Sequence, residues 1–242
     1  DEKVRHANTK LADLHLVASE DAKQRVIKLG ENPEKVINTG CPSIDLAKEI
    51  AEYPFLDFDP IEKYGGVGSK LNWKEGYIVV MQHPVTTEYK QAKAHITETL
   101  KAIKKLDMPT FWFWPNVDAG SDGTSNGIRT FRENEKPENI HFFKNMEPTD
   151  FLRLLKNSKA LVGNSSAGLR ECAYLGVPVV NIGNRQFRRN RATNVTDVDY
   201  NLNEIFEATE SAIQTEHFVS SGIYGNGDSG KKIANILATS EL

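Results

Sequence analysis

The chain has 242 residues, 39% of them hydrophobic and 26% charged, with a formal net charge of −3. That is a globular composition, with length for one large domain or for one domain and part of another. The acidic balance argues against a nucleic-acid binder that relies on a basic surface, and no apolar run approaches the roughly 18 residues of a membrane-crossing helix.

In chain order, residues 2–13 read as a helix, with Val4, Ala7 and Leu11 near helical spacing. The chain opens inside that pattern at Asp1-Glu-Lys-Val-Arg-His, as an excerpt beginning partway into a domain would. Leu14–Ala18 reads as a strand, and Ser19 caps a helix running to about Leu29. A second strand starts at Val36 and ends in the Gly40/Pro42 turn, followed by a helix from Ser43 to about Ala51. Residues 52–75, with Pro54, Pro60, Gly65, Gly66 and Gly68, read as a connection or surface loop. Strands are then expected at 77–81, 109–114, 140–143, 160–162 and 177–182. Helices are expected at 88–105, 125–133, 148–157, 167–175, 202–213 and 229–237. Short apolar strands alternating with helices predict an α/β fold, a parallel sheet covered on both faces. Cys41 and Cys172 lack CxxC partners and read as buried thiols in a reducing, cytoplasmic compartment. No His/Cys spacing fits a structural zinc site, so no metal is expected.

Ligands of such sheets bind beyond the carboxyl ends of the strands. Five polar turns fall there: His83-Pro-Val-Thr-Thr, Pro115-Asn-Val-Asp-Ala-Gly, Lys144-Asn-Met-Glu, Gly163-Asn-Ser-Ser and Gly183-Asn-Arg-Gln. Their convergence predicts one ligand rim. At Gly163-Asn-Ser-Ser either serine can cap the next helix, whose N-terminus would favour an anion. Glu171 is placed about a turn and a half into that helix, where its carboxylate could accept two ribose hydroxyls. Arg185 could meet a diphosphate or brace Glu171.

His83 by itself reads first as a capping or core histidine, and otherwise as a donor to phosphate oxygens or an acid on a leaving diphosphate. Asn116 and Asp118 fit sugar-hydroxyl recognition or simple closure of their turn. Arg188, Arg189 and Arg191 read as a solvated loop or as a lid over a diphosphate. Phe111-Trp-Phe-Trp114 reads as strand core. Asp1, Glu2, Arg5 and His6 share about a turn and a half of helix, which suits proton transfer or an ordinary acidic helix end. Arg129 and Arg132 form either a solvated face or an anion-binding pair.

Taken in order, Asp1-Glu-Lys-Val-Arg-His-Ala-Asn-Thr-Lys-Leu-Ala, Gln82-His-Pro-Val-Thr-Thr, Pro115-Asn-Val-Asp-Ala-Gly-Ser, Gly163-Asn-Ser-Ser-Ala-Gly-Leu-Arg-Glu and Gly176-Val-Pro-Val-Val-Asn-Ile-Gly-Asn-Arg-Gln resemble the UDP-N-acetylglucosamine 2-epimerases. Within that family they look closest to the hydrolysing branch, which makes N-acetylmannosamine-type sugars for sialic-acid-type biosynthesis. The resemblance spans the whole chain. It implies a GT-B fold of two Rossmann-like domains. Residues 1–50 would end the N-terminal domain, 51–75 connect, 76–225 form a complete UDP-binding domain, and 226–242 cross back as a last helix.

Carried onto matching positions, the resemblance implies that His83 contacts the diphosphate and that Asn116 and Asp118 line the site. The Asn145-Met146 turn would face uracil through its backbone. Ser165, Ser166 and the following amides to Gly168 would hold phosphate, Glu171 the ribose, and Arg185 with Gln186 would sit by the diphosphate. Asp1 falls at a catalytic acid, with Glu2 beside it. Asp-Glu there is like the hydrolysing branch, where the non-hydrolysing branch has two glutamates. Arg129 and Arg132 match an inhibitor-binding pair of the animal bifunctional relative, although their flanking residues differ. The implied protein is a cytoplasmic homodimer acting on a UDP-sugar without a cofactor. The alternatives are a non-hydrolysing epimerase, a GT-B glycosyltransferase needing an acceptor, and a non-catalytic UDP-sugar sensor.

Overall fold

A computed structural model describes residues 2–239. The amino-terminal part holds α1 (Glu2–Leu11), β1 (His15–Val17), α2 (Glu20–Lys28) and β2 (Val36–Asn38). The Ser19 hydroxyl accepts the Ala22 amide at 3.3 Å and starts α2. β1 and β2 pair in parallel as a separate small sheet. α3 (Pro42–Glu52) follows, with Ile44, Ala47 and Ile50 buried at helical spacing. It packs on α7 and α8 of the larger unit.

That unit runs through α4 (Pro60–Tyr64), β3 (Val67–Gly68), β4 (Ile78–Met81), α5 (Ala92–Leu106), β5 (Thr110–Phe113), α6 (Ser121–Glu135), β6 (Ile140–Phe143), α7 (Pro148–Lys156), β7 (Leu161–Gly163), α8 (Glu171–Leu175), β8 (Val179–Ile182), β9 (Val195–Val198), α9 (Leu202–Gln214) and α10 (Ser229–Thr239). Its sheet has the order β3-β6-β5-β4-β7-β8-β9. All pairings are parallel except β3 on β6. Successive residues of a strand face opposite sides. Val79, Phe111, Phe113, Phe143, Leu161 and Val179 therefore pack toward α3, α7 and α8. Ile78, Val80, Trp112, Phe142, Val162 and Val180 pack toward α5, α6 and α9. Burial on both faces explains why the central strands are apolar throughout rather than alternating.

The order reverses at β4, whose two neighbours are β5 and β7. Crossovers to successive strands run one way from β4 and then the other. The turns after β4 and β7 thus border a crevice at the carboxyl edge, the place where such sheets take ligands.

Several elements differ from the sequence reading. The 52–75 stretch carries α4 and the edge strand β3, and Leu71 joins the core. Its prolines and glycines cap and kink these short pieces rather than prevent them. β9 was not anticipated, because Val195-Thr-Asp-Val lies at a sheet edge and keeps its polar residues in solvent. α6 starts at Ser121, four residues before the first expected position, from a left-handed Gly120. Its first turn is polar and has no apolar periodicity to detect. The helix expected over 167–175 is a single 3-10 turn, Ser166–Gly168, and then the short α8. Gly168 presses on β8 so closely that a Cβ would come within 2.8 Å of Val179 Cγ1.

α4 is tied down through one buried carboxylate. Asp150 on α7 accepts from the Tyr64 hydroxyl at 2.5 Å and pairs with Lys63 Nζ at 2.6 Å. Burial opposes its charge, but the bonds from Lys63 and Tyr64 outweigh it and hold the carboxyl below its ordinary 3.8. A depressed carboxyl stabilises the fold above its unfolded pKa, and that stability is lost as pH falls through the folded value. Tyr64→Phe should therefore destabilise the chain by about 1–3 kcal/mol at pH 7 in urea unfolding, with the difference shrinking below pH 4. Equal midpoints at pH 7 would show that α4 is held by packing alone.

α10 is anchored at its start by residues far away in sequence. Asp45 on α3 accepts the Ser229 and Gly230 amides at 2.9 and 2.7 Å, and Ser229 Oγ donates to the Thr39 carbonyl at 2.7 Å. No helix among the described residues is long and apolar enough to cross a membrane.

Candidate functional site

The site begins with the backbone at the crevice. Gly163 ends β7 with φ +133°, and a Cβ there would overlap the Met81 carbonyl oxygen of β4. Only glycine lets the two strands stay paired to their last residue. Asn164 follows and is fully buried. Its side-chain oxygen accepts the His83 N–H at 2.7 Å, and its NH2 donates to the His83 carbonyl at 2.8 Å. Its own backbone carbonyl accepts from Gln186 Nε2 at 2.8 Å and from Arg185 at 3.3 Å. One asparagine thus joins the turns after β4, β7 and β8. The sequence reading missed it, since asparagine in a turn is ordinary. Its place directly after a strand at the reversal of order was the only signal.

His83 Nδ1 accepts the Asn116 amide at 3.2 Å. In the neutral ring the proton then sits on Nε2, which leaves a donor on that side. Burial, with the Arg185 charge second, lowers its pKa to about 4 against the opposing pull of Asp118. At neutral pH it is an uncharged imidazole. Asn116 Nδ2 bonds Asp118 at 2.6 Å, and Asp118 pairs with Arg185 at 3.5 Å. Burial lowers the Arg185 pKa, and Asp118 works against that.

Glu171 is the first residue of α8 and only 7% exposed. One carboxylate oxygen lies 3.4 Å from the Arg170 guanidinium. The other is buried without a protein partner among the described residues. The expected brace from Arg185 is therefore corrected: Arg185 reaches Asp118, and Arg170 reaches Glu171. Glu171 also starts its helix rather than lying a turn and a half into one. Arg170 continues to Ser166 Oγ at 3.0 Å and to Cys41 Sγ at 3.8 Å, which ties this corner to α3. Burial and the neighbouring Glu171 charge push the Cys172 thiol up, so it is inert.

The anion-binding helix start becomes something narrower. Inside the 3-10 turn the Ala167 amide bonds Ser165 Oγ, and those of Gly168 and Leu169 bond the carbonyls of Ser165 and Ser166. The two serine amides precede that set. Positive charge at this rim is supplied chiefly by arginines. Burial lowers the Arg189 pKa, followed by the charges of Arg5, Arg170 and Arg185. Four guanidiniums from three segments act on one another here. Of the other loop arginines, Arg188 stacks on Phe187 at 5.2 Å, and Arg191 pairs with Asp197 at 2.7 Å. Met146 packs into the core. Arg129 and Arg132 lie over the Trp114 and Phe142 rings, at 5.8 and 5.4 Å. Asp1 and the side chain of Glu2 lie outside the described residues.

Chemically, the rim offers a carboxylate oxygen that can take a diol, a neutral imidazole donor and a concentration of guanidinium charge. That set suits a nucleoside diphosphate.

The family model for UDP-N-acetylglucosamine 2-epimerase matches residues 1–238. A UDP-N,N'-diacetylbacillosamine 2-epimerase (hydrolyzing) of Legionella pneumophila is 30% identical over 243 residues, covering 100% of this chain and 62% of that protein. A UDP-N-acetylglucosamine 2-epimerase of Neisseria meningitidis is 29% identical over 244 residues, with the same coverages. The crystal structure of a Methanocaldococcus jannaschii UDP-GlcNAc 2-epimerase with UDP-GlcNAc and UDP superposes with a TM-score of 0.72 at 16% identity, over 96% of this chain and 62% of that one. The architecture is accordingly of the GT-B type. The chain spans about 62% of the length of the curated relatives it matches. With the family model matching almost end to end, and the rim built as described, the chain belongs to the UDP-N-acetylglucosamine 2-epimerase family.

Proposed function

We propose that the protein is a hydrolysing UDP-HexNAc 2-epimerase and that residues 76–225 are its UDP-binding domain. The carrying observation is the buried, unpartnered oxygen of Glu171, set at the same rim as neutral His83 and paired Arg185. Glu171 would accept the two ribose hydroxyls. The Asn145-Met146 backbone would meet the uracil. Ser165, Ser166, Gly168 and Gln186 would border the phosphates, and Asn116 and Asp118 the sugar side. His83 Nε2–H and Arg185 would meet the diphosphate oxygens as the bond to C1 breaks.

The chemistry runs as an elimination and a hydration. A carboxylate, for which Asp1 is the candidate, takes the C2 proton. The C2–H electron pair becomes a C1=C2 double bond, and the C1–O bond breaks to release UDP. Water then adds its hydroxyl to C1, and a proton arrives at C2 from the opposite face. The free sugar is of the ManNAc type. No electrons are gained or lost overall. The hydrolysing branch is supported by Asp1-Glu2 in place of two glutamates and by the activity named for the Legionella relative.

Incubating the full-length protein with UDP-GlcNAc, and separately with its 2,4-diacetamido-trideoxy analogue, tests this by NMR. The expected products are UDP and a free 2-epimerised sugar. Reversible epimerisation with UDP still attached would place it in the non-hydrolysing branch. UDP release only on adding an acceptor would make it a glycosyltransferase.

A further inference from the structure

The loop after β8 is gripped by side chains along residues 186–190. Gln186 Nε2 donates to the Asn164 carbonyl at 2.8 Å. The Arg188 carbonyl accepts from Arg25 of α2. The Arg189 carbonyl accepts from Arg191 at 2.7 Å, and the Asn190 carbonyl from the Tyr224 hydroxyl at 2.8 Å. Arg191 is itself paired with Asp197 at 2.7 Å, and Asp197 accepts from Asn181 Nδ2 at 2.7 Å. Three successive carbonyls are thus held by side chains, in a stretch that belongs to no helix or strand. Arg188 takes a left-handed φ of +61°, which residues with a Cβ seldom adopt. A loop pinned at this many points is held to one shape.

These grips also place the loop. Its first half is bonded to Asn164, the residue before Ser165-Ser166. Its second half is bonded to Tyr224, which packs with Leu169 and Cys41 just after those serines. The loop therefore spans the serine turn, and Arg189 lies between the two attachments. Other arginines here are matched: Arg185 with Asp118, Arg170 with Glu171, and Arg191 with Asp197. Arg189 is partly buried, and its guanidinium forms no hydrogen bond or ion pair among the described residues. The charges of Arg5, Arg170 and Arg185 act against its own. A cation set among cations is unfavourable until an anion arrives. We propose that Arg189 is a further ligand of the leaving diphosphate and meets its β-phosphate. This rests on the UDP-sugar reading of the rim. The β end follows from the Arg25 grip. The loop leans on the amino-terminal part, which carries the candidate acid, so its arginine lies toward the sugar, whereas Glu171 takes the ribose. As the C1–O bond breaks, the β-phosphate gains negative charge, and a guanidinium already fixed there needs no reorganisation to meet it.

Arg189→Gln in the full-length protein keeps the side-chain stem and removes the charge. Calorimetry should show UDP bound about thirtyfold more weakly, while UMP, which ends at the α-phosphate, stays within about twofold of its wild-type affinity. Without ligand the variant should unfold at a urea concentration no lower than the wild type, since one of four like charges is gone. A selective loss of UDP binding without a loss of stability is what a merely structural arginine does not give. Arg189→Lys, which restores the charge on a similar stem, should recover part of the UDP affinity lost in Arg189→Gln. Unchanged UDP affinity in Arg189→Gln overturns the proposal. So does UMP affinity falling in step with that for UDP, or no recovery in Arg189→Lys. The wild-type protein separates the two levels: no UDP binding removes the UDP-sugar reading, whereas UDP binding that Arg189→Gln leaves intact removes only the role of Arg189.

Discussion

Glu171→Ala is expected to weaken UDP binding about a hundredfold, close to 2.8 kcal/mol. The reason is the oxygen that has no protein partner although it is buried. A buried carboxylate oxygen left bare is costly, and a ribose hydroxyl that fills it gains a charge-assisted bond worth roughly 1.5–3 kcal/mol. The second oxygen contributes less, since it is shared with Arg170 at 3.4 Å. Glu171→Gln should lose about tenfold, because it keeps one acceptor and the side-chain volume. Calorimetry with UDP and 2′-deoxy-UDP makes the assignment specific. The wild-type protein should discriminate against the deoxy ligand, and Glu171→Ala should bind both equally. Undiminished discrimination in the variant would take Glu171 away from the ribose.

Gly163→Ala should lower stability by roughly 3 kcal/mol or more and abolish UDP binding together. Its φ of +133° is closed to residues with a Cβ, and the added carbon would overlap the Met81 carbonyl oxygen. Relief requires parting β4 from β7 at the last pair of their ladder, Met81 with Gly163. Beyond that pair lie His83 and Asn164, whose three-way join depends on the two strand ends staying in register. Urea unfolding and UDP calorimetry read the two losses. A wild-type midpoint with intact binding would show that the crevice does not depend on this close approach.

Most of the sheet was legible in sequence because its central strands are buried on both faces. Ile78–Met81, Thr110–Phe113 and Val179–Ile182 are apolar runs between polar turns, and runs of that length have few other uses. Edges escaped for the opposite reason. Val195–Val198 and Val67–Gly68 leave polar or small residues in water and carry no run to detect. The candidate site was legible as a set of turns and less so as a set of pairs. His83, Asn116, Asp118 and Arg185 were named from their turns, and they do form one network. Of the two roles open to Arg185, the brace on Glu171 is not the one formed. In the structure Asp118 already holds Arg185, and Arg170 stands next to Glu171 in the same short helix start.

By itself the sequence determined the α/β class, the succession of strands and helices, and which turns end up at the carboxyl edge. These follow from local patterning: apolar runs, capping residues, and crossovers that bring every parallel strand out at the same end. Tertiary structure alone decided that the strand order reverses at β4, and so that the turns of His83 and Asn164 meet. It also decided that the arginines divide as they do, with Arg185 on Asp118 and Arg170 on Glu171. Strand order and ion pairing depend on which distant segments lie side by side and where their side chains point, and no window of neighbouring residues carries that information.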